Sequence, residues 1–232
     1  MKAARIAFAA LAAVAISVLA AHPAAAAPVA GAQFRYWSFT NDNTMRDEIL
    51  YYAPGPFHVQ LEYWDFARGD DQFRPEVGVH LRDARRSVYT VQWRHEASDE
   101  RFWLGTEQIL AHGWVAHAEG SPLVFKDHTD VVWDGGADYY WGSYHYASAT
   151  LVRDPREGGL WVLPARVRLA TESNDWVQLT IAPASKRTLG WAADVKWRIV
   201  KAGVERNSRF DFTDLDNTIY TIGLELPLDR KR

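Results

Sequence analysis

The chain has 232 residues, among them 11 Trp, 10 Tyr, 10 Phe and no Cys, with a formal charge of −3. That length holds one domain, or two small ones. The lack of cysteine excludes disulfides, thiolate zinc sites, iron–sulfur clusters and a cysteine nucleophile. A charged fraction of 24% beside 48% hydrophobic residues argues for a folded chain. The slightly negative balance leaves no global basic footprint, so nucleic acid is not an expected partner.

Lys2 and Arg5 open the sequence, an uncharged stretch runs from Ile6 to Ala21, and His22-Pro23 leads into small residues at Ala24 to Ala26. This is the layout of a secretory signal peptide, with cleavage expected after Ala26. The apolar stretch is shorter than the roughly 20 residues of a membrane-spanning helix. An uncleaved membrane anchor is the other reading. Export through an oxidising compartment agrees with a chain that carries no thiol. The expected order is signal peptide 1–26, short N-terminal segment 27–32, one domain over 33–228 and a charged tail 229–232.

Beyond the leader, period-2 alternation recurs, the mark of strands whose side chains point to opposite faces. Phe57, Val59, Leu61 and Tyr63 alternate with His58, Gln60, Glu62 and Trp64. Similar patterns run over 76–82 and 88–96. The stretch Phe102–Gly120 reads as one long strand or as a hairpin turning near Ala111-His112-Gly113. Leu163 to Leu169 alternates around Arg166 and Arg168, Trp176 to Ala182 follows, and Leu189 to Ile199 alternates around Asp194, Lys196 and Arg198. Turn residues separate the runs at Pro54-Gly55-Pro56, Arg68 to Asp71, Asp134-Gly135-Gly136, Asp154 to Gly159, Ser173 to Asp175 and Asp214 to Asn217. Strands at this spacing, with no helical segments between them, predict an all-β antiparallel meander.

Such strands can line a soluble sandwich or close into a barrel with its apolar face in lipid. The charged face favours the barrel: Glu62, Arg94, Arg166, Arg168, Asp194, Lys196 and Arg198 are expected to line a wet lumen. Trp37, Tyr52, Trp64, Tyr140, Trp141, Trp161, Trp176 and Trp191 lie near strand ends and are expected to anchor at the membrane interfaces. At roughly 16 residues per strand and connection the count comes to about 12 strands, with ten or fourteen as the neighbouring even numbers. The expected fold is a single up-and-down transmembrane β-barrel in the outer membrane of a Gram-negative bacterium, with outer-membrane lipid as its surroundings. A secreted β-sandwich binding module is the alternative.

Thr221-Ile222-Gly223-Leu224-Glu225-Leu226-Pro227-Leu228 resembles the closing-strand signal of outer-membrane proteins, with Thr221, Gly223, Leu226 and Leu228 at its defining positions. That resemblance implies recognition by the barrel assembly machinery. The usual terminal aromatic is replaced by Leu228, and four charged residues follow it. Farther back, Asp138 to His145, the Asp154–Gly159 turn, Ala165-Arg166-Val167-Arg168-Leu169 and Asn174 to Leu179 resemble the central part of YaiO-type outer-membrane β-barrel proteins. The resemblance implies a surface-exposed barrel of undefined molecular activity. Helical repeats that precede the barrel in some members have no counterpart here.

Chemistry-bearing residues are few. Ser143 and His145 share a strand face about 7 Å apart along the chain, too far for a direct hydrogen bond, and no Gly-x-Ser-x-Gly elbow is present. An outer-membrane lipid-modifying hydrolase is therefore an alternative, and no enzyme activity or catalytic residue is assigned. His112 and His117, and the loop residues Asp127, His128 and Asp130, have ligand chemistry without a recognised metal pattern, so no metal or cofactor is expected. The aromatics between Asp134 and Trp141 have the chemistry to stack on sugar rings from a loop. The lumen charges could pair into a network that occludes the interior, which is the favoured reading, or form a small-solute or glycan-export channel.

Overall fold

A computed structural model describes residues 29–40, 43–83, 87–96, 99–142, 145–155, 159–173, 175–186, 188–206 and 218–227. The strands are β1 (Val29–Phe39), β2 (Thr44–Ala53), β3 (Phe57–Phe66), β4 (Gln72–Arg82), β5 (Ser87–His95), β6 (Glu100–Ile109), β7 (Trp114–Val124) and β8 (Thr129–Trp141). They continue as β9 (His145–Asp154), β10 (Leu160–Val162), β11 (Ala165–Ala170), β12 (Trp176–Ala182), β13 (Gly190–Trp197), β14 (Val200–Arg206) and β15 (Thr218–Pro227). The signal peptide, Ser143, Leu228 and the charged tail lie outside the described residues, as do the Asp214–Asn217 turn and Asn174.

Neighbouring strands pair antiparallel in chain order, and β1 also pairs with β15, so the sheet closes on itself. Strands β10 and β11 both pair with β9 and occupy one position in the wall. Pro164 separates them, since it has no N–H for the ladder. The barrel is therefore 14-stranded rather than about 12, and the sandwich alternative falls with its closure. The shortfall in the expected count comes from connections that are shorter than assumed. Phe102–Gly120 forms the hairpin: β6 and β7 turn over Leu110 to Gly113, where His112 and Gly113 both take positive φ. Asp134-Gly135-Gly136 is not a turn but lies inside β8. Its glycine does different work there, because a Cβ on Gly136 would fall on the Ala149 carbonyl of β9. The aromatics of 134–141 accordingly belong to a strand, not to a loop. Val29 already lies in β1, so residues 29–32 are part of the wall.

The two ends of the barrel differ. One carries tight connections, such as 54–56 and the two-residue turn Arg198-Ile199, together with the wall's first and last residues, Val29 and Pro227. This is the turn end. The other carries the longest spans, 183–189 and 207–217, and is the loop end.

Alternation divides every strand. Phe34, Tyr36, Leu50, Leu61, Leu104, Leu179 and Ile222 project outward and stay exposed, Leu179 at 65%. Direct cross-strand partners share a face, so the inward parity can be followed around the barrel from Arg35 to Asp47, Glu62 and Arg74. Ala32 and Val79 are buried on the outward parity, and most other buried apolar residues lie on the inward face and gather at the loop end in three clusters. These are Trp37 with Met45 and Ile219, Leu123 with Val132 and Val152, and Leu160 with Val162 and Ala182. These clusters share the loop end with the buried carboxylates of Asp154 and Glu205, and charged side chains continue through the middle of the lumen.

Candidate functional site in the barrel lumen

On the β1–β5 side, inward acids and bases are interleaved and compensate one another. Arg35 pairs with Asp47 and with Glu62 at 3.3 Å. Arg74, only 3% exposed, joins Glu62 at 3.2 Å to Glu96 at 2.6 Å. Arg94 donates from Nε to Glu76 at 2.7 Å, and His58 Nε2 meets the other oxygen of Glu76 at 3.1 Å. The Arg74 guanidinium also lies 3.7 Å from the centroid of the Trp64 ring. A Cβ on Gly78 would collide with the His58 ring, so this glycine makes room for histidine inside the wall. Buried charges need partners, because desolvation costs several kcal/mol per ion, and this ladder supplies them. A cavity of about 330 Å³ lies among Gln33, Arg35, Glu62, Arg74 and Arg94.

Beyond the β1–β15 seam the pattern changes. Lys196 reaches Glu225 at 2.8 Å, and Lys201 pairs with the same carboxylate. Arg168 makes its hydrogen bonds among the described residues to a neutral amide, not to a carboxylate. Its Nε and a terminal nitrogen donate to the Gln178 amide oxygen at 3.0 and 2.7 Å, and its guanidinium lies over the Tyr146 and Trp176 rings at 5.0 and 4.3 Å. The Tyr146 hydroxyl donates to that same amide oxygen at 3.0 Å. Arg166, one inward step along β11, has no hydrogen bond or ion pair among the described residues. A second cavity, about 220 Å³, lies between Arg168, Trp176, Gln178, Asp194 and Thr221.

Glu62, Arg94, Arg166, Arg168, Asp194 and Lys196 all stand on the inward parity. Arg198 does not line the lumen. It occupies the β13–β14 turn with positive φ, its backbone N–H donates to Asp175, and its guanidinium packs on Trp197. The alternation that carried Asp194 and Lys196 inward ends where the hairpin reverses.

The aromatic residues also divide. Tyr52, Trp161 and Trp191 are outward and exposed, and Trp141 stacks with outward Tyr139, which meets Trp114. Trp37, Trp64 and Trp176 instead face the lumen, and Tyr140 stands at its turn-end mouth against Tyr146. Parity carried this signal: Trp37 follows Arg35 by two residues, and Trp64 follows Glu62 by two. Of the closing-strand residues, Thr221 and Gly223 face inward and Leu226 outward on β15, which is paired on both sides.

Of the hydrolase candidates, Ser143 lies outside the described residues and His145 is described. His145 Nδ1 accepts the Ala170 backbone N–H at 3.1 Å, and its ring tilts on Trp141. In the β7–β8 loop, His128 is bracketed by Asp127 at 2.8 Å and Asp130 at 3.5 Å and stacks on Phe125. The hydrogen bond to Asp127 raises the His128 pKa above its ordinary value and lowers that of Asp127. No group of three residues able to hold a metal ion occurs among the described residues.

No protein-family model matches the chain, and no curated protein does. Solved structures do. A mutant of the Rhodopseudomonas blastica porin superposes with a TM-score of 0.53 at 9% identity, over 87% of this chain and 99% of that one. OmpF of Salmonella typhi, solved in complex with daunomycin, gives 0.53 at 8% identity over 87% and 97%. At such identities the likeness is one of fold: the chain has the closed antiparallel barrel of the porins.

Proposed function

We propose that this protein is an outer-membrane β-barrel with a structural or interaction role at the cell surface and a mostly occluded polar lumen. The observation that carries the reading is the division of the wall, with exposed Leu, Ile, Phe and Tyr outside and a self-compensating ladder of arginines and carboxylates inside. Such an exterior matches hydrocarbon, and a ladder of this kind holds a lumen closed more readily than it holds it open. The leader-like start of the sequence and the porin-type fold support the same location. By the loop-length asymmetry of outer-membrane barrels, the turn end faces the periplasm and the loop end faces outward. We place the chain beside the YaiO-type proteins on the residues of β8, β9, β11 and β12, and read β15 as the segment met by the barrel assembly machinery. The reading assigns no enzyme activity.

The test is fractionation. The protein should pellet with outer membranes and migrate differently on gels before and after boiling. Recovery in the soluble fraction with unchanged mobility overturns the reading. In planar bilayers it should show little steady conductance, whereas a large, stable conductance replaces occlusion with a small-solute channel.

A further inference from the structure

The charges on β11 form a second kind of site. Every inward base described above on β1–β5, β13 and β14 has a carboxylate partner. Arg166 has none among the described residues, and Arg168 is held by a neutral amide and two aromatic faces. Asp194 is the nearest candidate to neutralise Arg168, since it is the cross-strand partner of Gln178. Its carboxylate instead leans to the far side, over Gly203, where a Cβ would collide with it. The direct partners of Arg166 in the wall are Ser148 and Thr180, both hydroxyl-bearing and buried. Ser148 is 8% exposed, and its Oγ has no hydrogen-bond partner. A buried, unsatisfied hydroxyl costs free energy, and here it stands beside an unpaired guanidinium that shares its face.

We propose that Arg166, Ser148, Thr180 and Arg168 form a binding site for a small organic oxyanion, a carboxylate or phosphate carried on a polar solute. A guanidinium offers a planar fork of donors to such a group, and the hydroxyls supply further donors to its remaining oxygens. The 220 Å³ cavity beside Arg168 leaves room for the rest of the solute. Entry is from the turn end, because Arg168, Trp176 and Lys201, which line that cavity, lie near the turn-end termini of their strands. This site rests on the barrel reading above, which makes the inward face a lumen.

Titration calorimetry of the detergent-folded protein tests the site, with glucuronate and inorganic phosphate as probes and glucose as the neutral control. Saturable binding of at least one anion is expected, with none for glucose. Loss of one charge-assisted contact should weaken binding about tenfold or more in Arg166→Gln, while outward Arg153→Gln binds as the parent does. Heat-modifiable gel mobility confirms that each variant is folded. Arg168→Gln should weaken binding likewise, and should it fail to fold, Arg166→Gln alone decides. Binding equal in Arg166→Gln and the parent overturns the site, as does an absence of saturable anion binding. Either result in a heat-modifiable barrel leaves the barrel reading standing, whereas a soluble, non-modifiable protein removes both.

Discussion

The two sides of the lumen treat positive charge in opposite ways. On β1–β5 Arg35, Arg74 and Arg94 each lie between carboxylates, so this part of the wall is close to neutral and its side chains are tied across strands. On β11 the arginines stand among hydroxyls, an amide and aromatic rings. The first arrangement exchanges lost hydration for fixed partners and rigidity. The second leaves a cation available to something that is not part of the chain. Arginine content alone therefore says little about what a lumen does; the partner of each arginine decides.

Mutations should separate the two sides most clearly through stability. Arg74→Ala removes the shared buried partner of Glu62 and Glu96, leaving them only the longer contacts to Arg35 and Arg94, and should cost about 3 kcal/mol in urea titrations of the detergent-folded barrel. Adding Glu62→Gln should return part of that loss, and full additivity of the two changes would break the ladder picture. Leu123→Ala at the loop end opens a cavity at a side chain with 0% exposure and should cost about 3 kcal/mol. Lys196→Met leaves Glu225 with Lys201 as its remaining partner and should cost about 1.5 kcal/mol, the scale of one charged hydrogen bond. Arg166→Gln should shift stability by less than about 0.5 kcal/mol, since no contact is lost. A cost near that of Arg74→Ala would show that β11 is compensated after all.

The smallest effect concerns the turn end. Asp175 accepts the Arg198 N–H and the Ser173 hydroxyl, which hold its carboxyl below the usual carboxylate range. A group lowered on folding contributes stability above its unfolded pKa and loses it as pH falls through the folded value. The β13–β14 turn should therefore loosen only in acid, below the ordinary carboxylate range. Amide exchange at Arg198 should report this, and Asp175→Asn should remove the pH dependence.

Much of the wall was legible because strand alternation is a local property. The runs at 57–66 and 176–182 coincide with β3 and β12. By contrast β2 was hidden, because Arg46 and Glu48 lie on its outward face while Met45 and Ile49 point inward. Neither face of that strand is purely polar, so no period-2 signal stands out. The assignments of Trp37, Trp64 and Trp176 failed for a different reason. Tryptophan suits a membrane interface and a lumen mouth alike, and only its parity relative to a neighbouring charge tells the two apart. The pairing of the lumen charges was not readable at all, since it depends on register between strands far apart in sequence.

Apart from β9 with β11, every strand pairing in this barrel joins chain neighbours except the closure between β1 and β15. That seam matches Gly31 with Pro227 and Phe39 with Ile219, so its two edges come from opposite ends of the wall. Hairpins can form as soon as their own residues exist, but this contact waits for the whole wall. Until it forms, the sheet has two open edges able to pair with foreign strands. The same seam carries Arg35 beside Gly223, where a Cβ would strike the Phe34 carbonyl and the arginine side chain. A chain truncated before β15 would therefore lack both this closure and Glu225, the carboxylate shared by Lys196 and Lys201, while the ladder on β1–β5 keeps all its members.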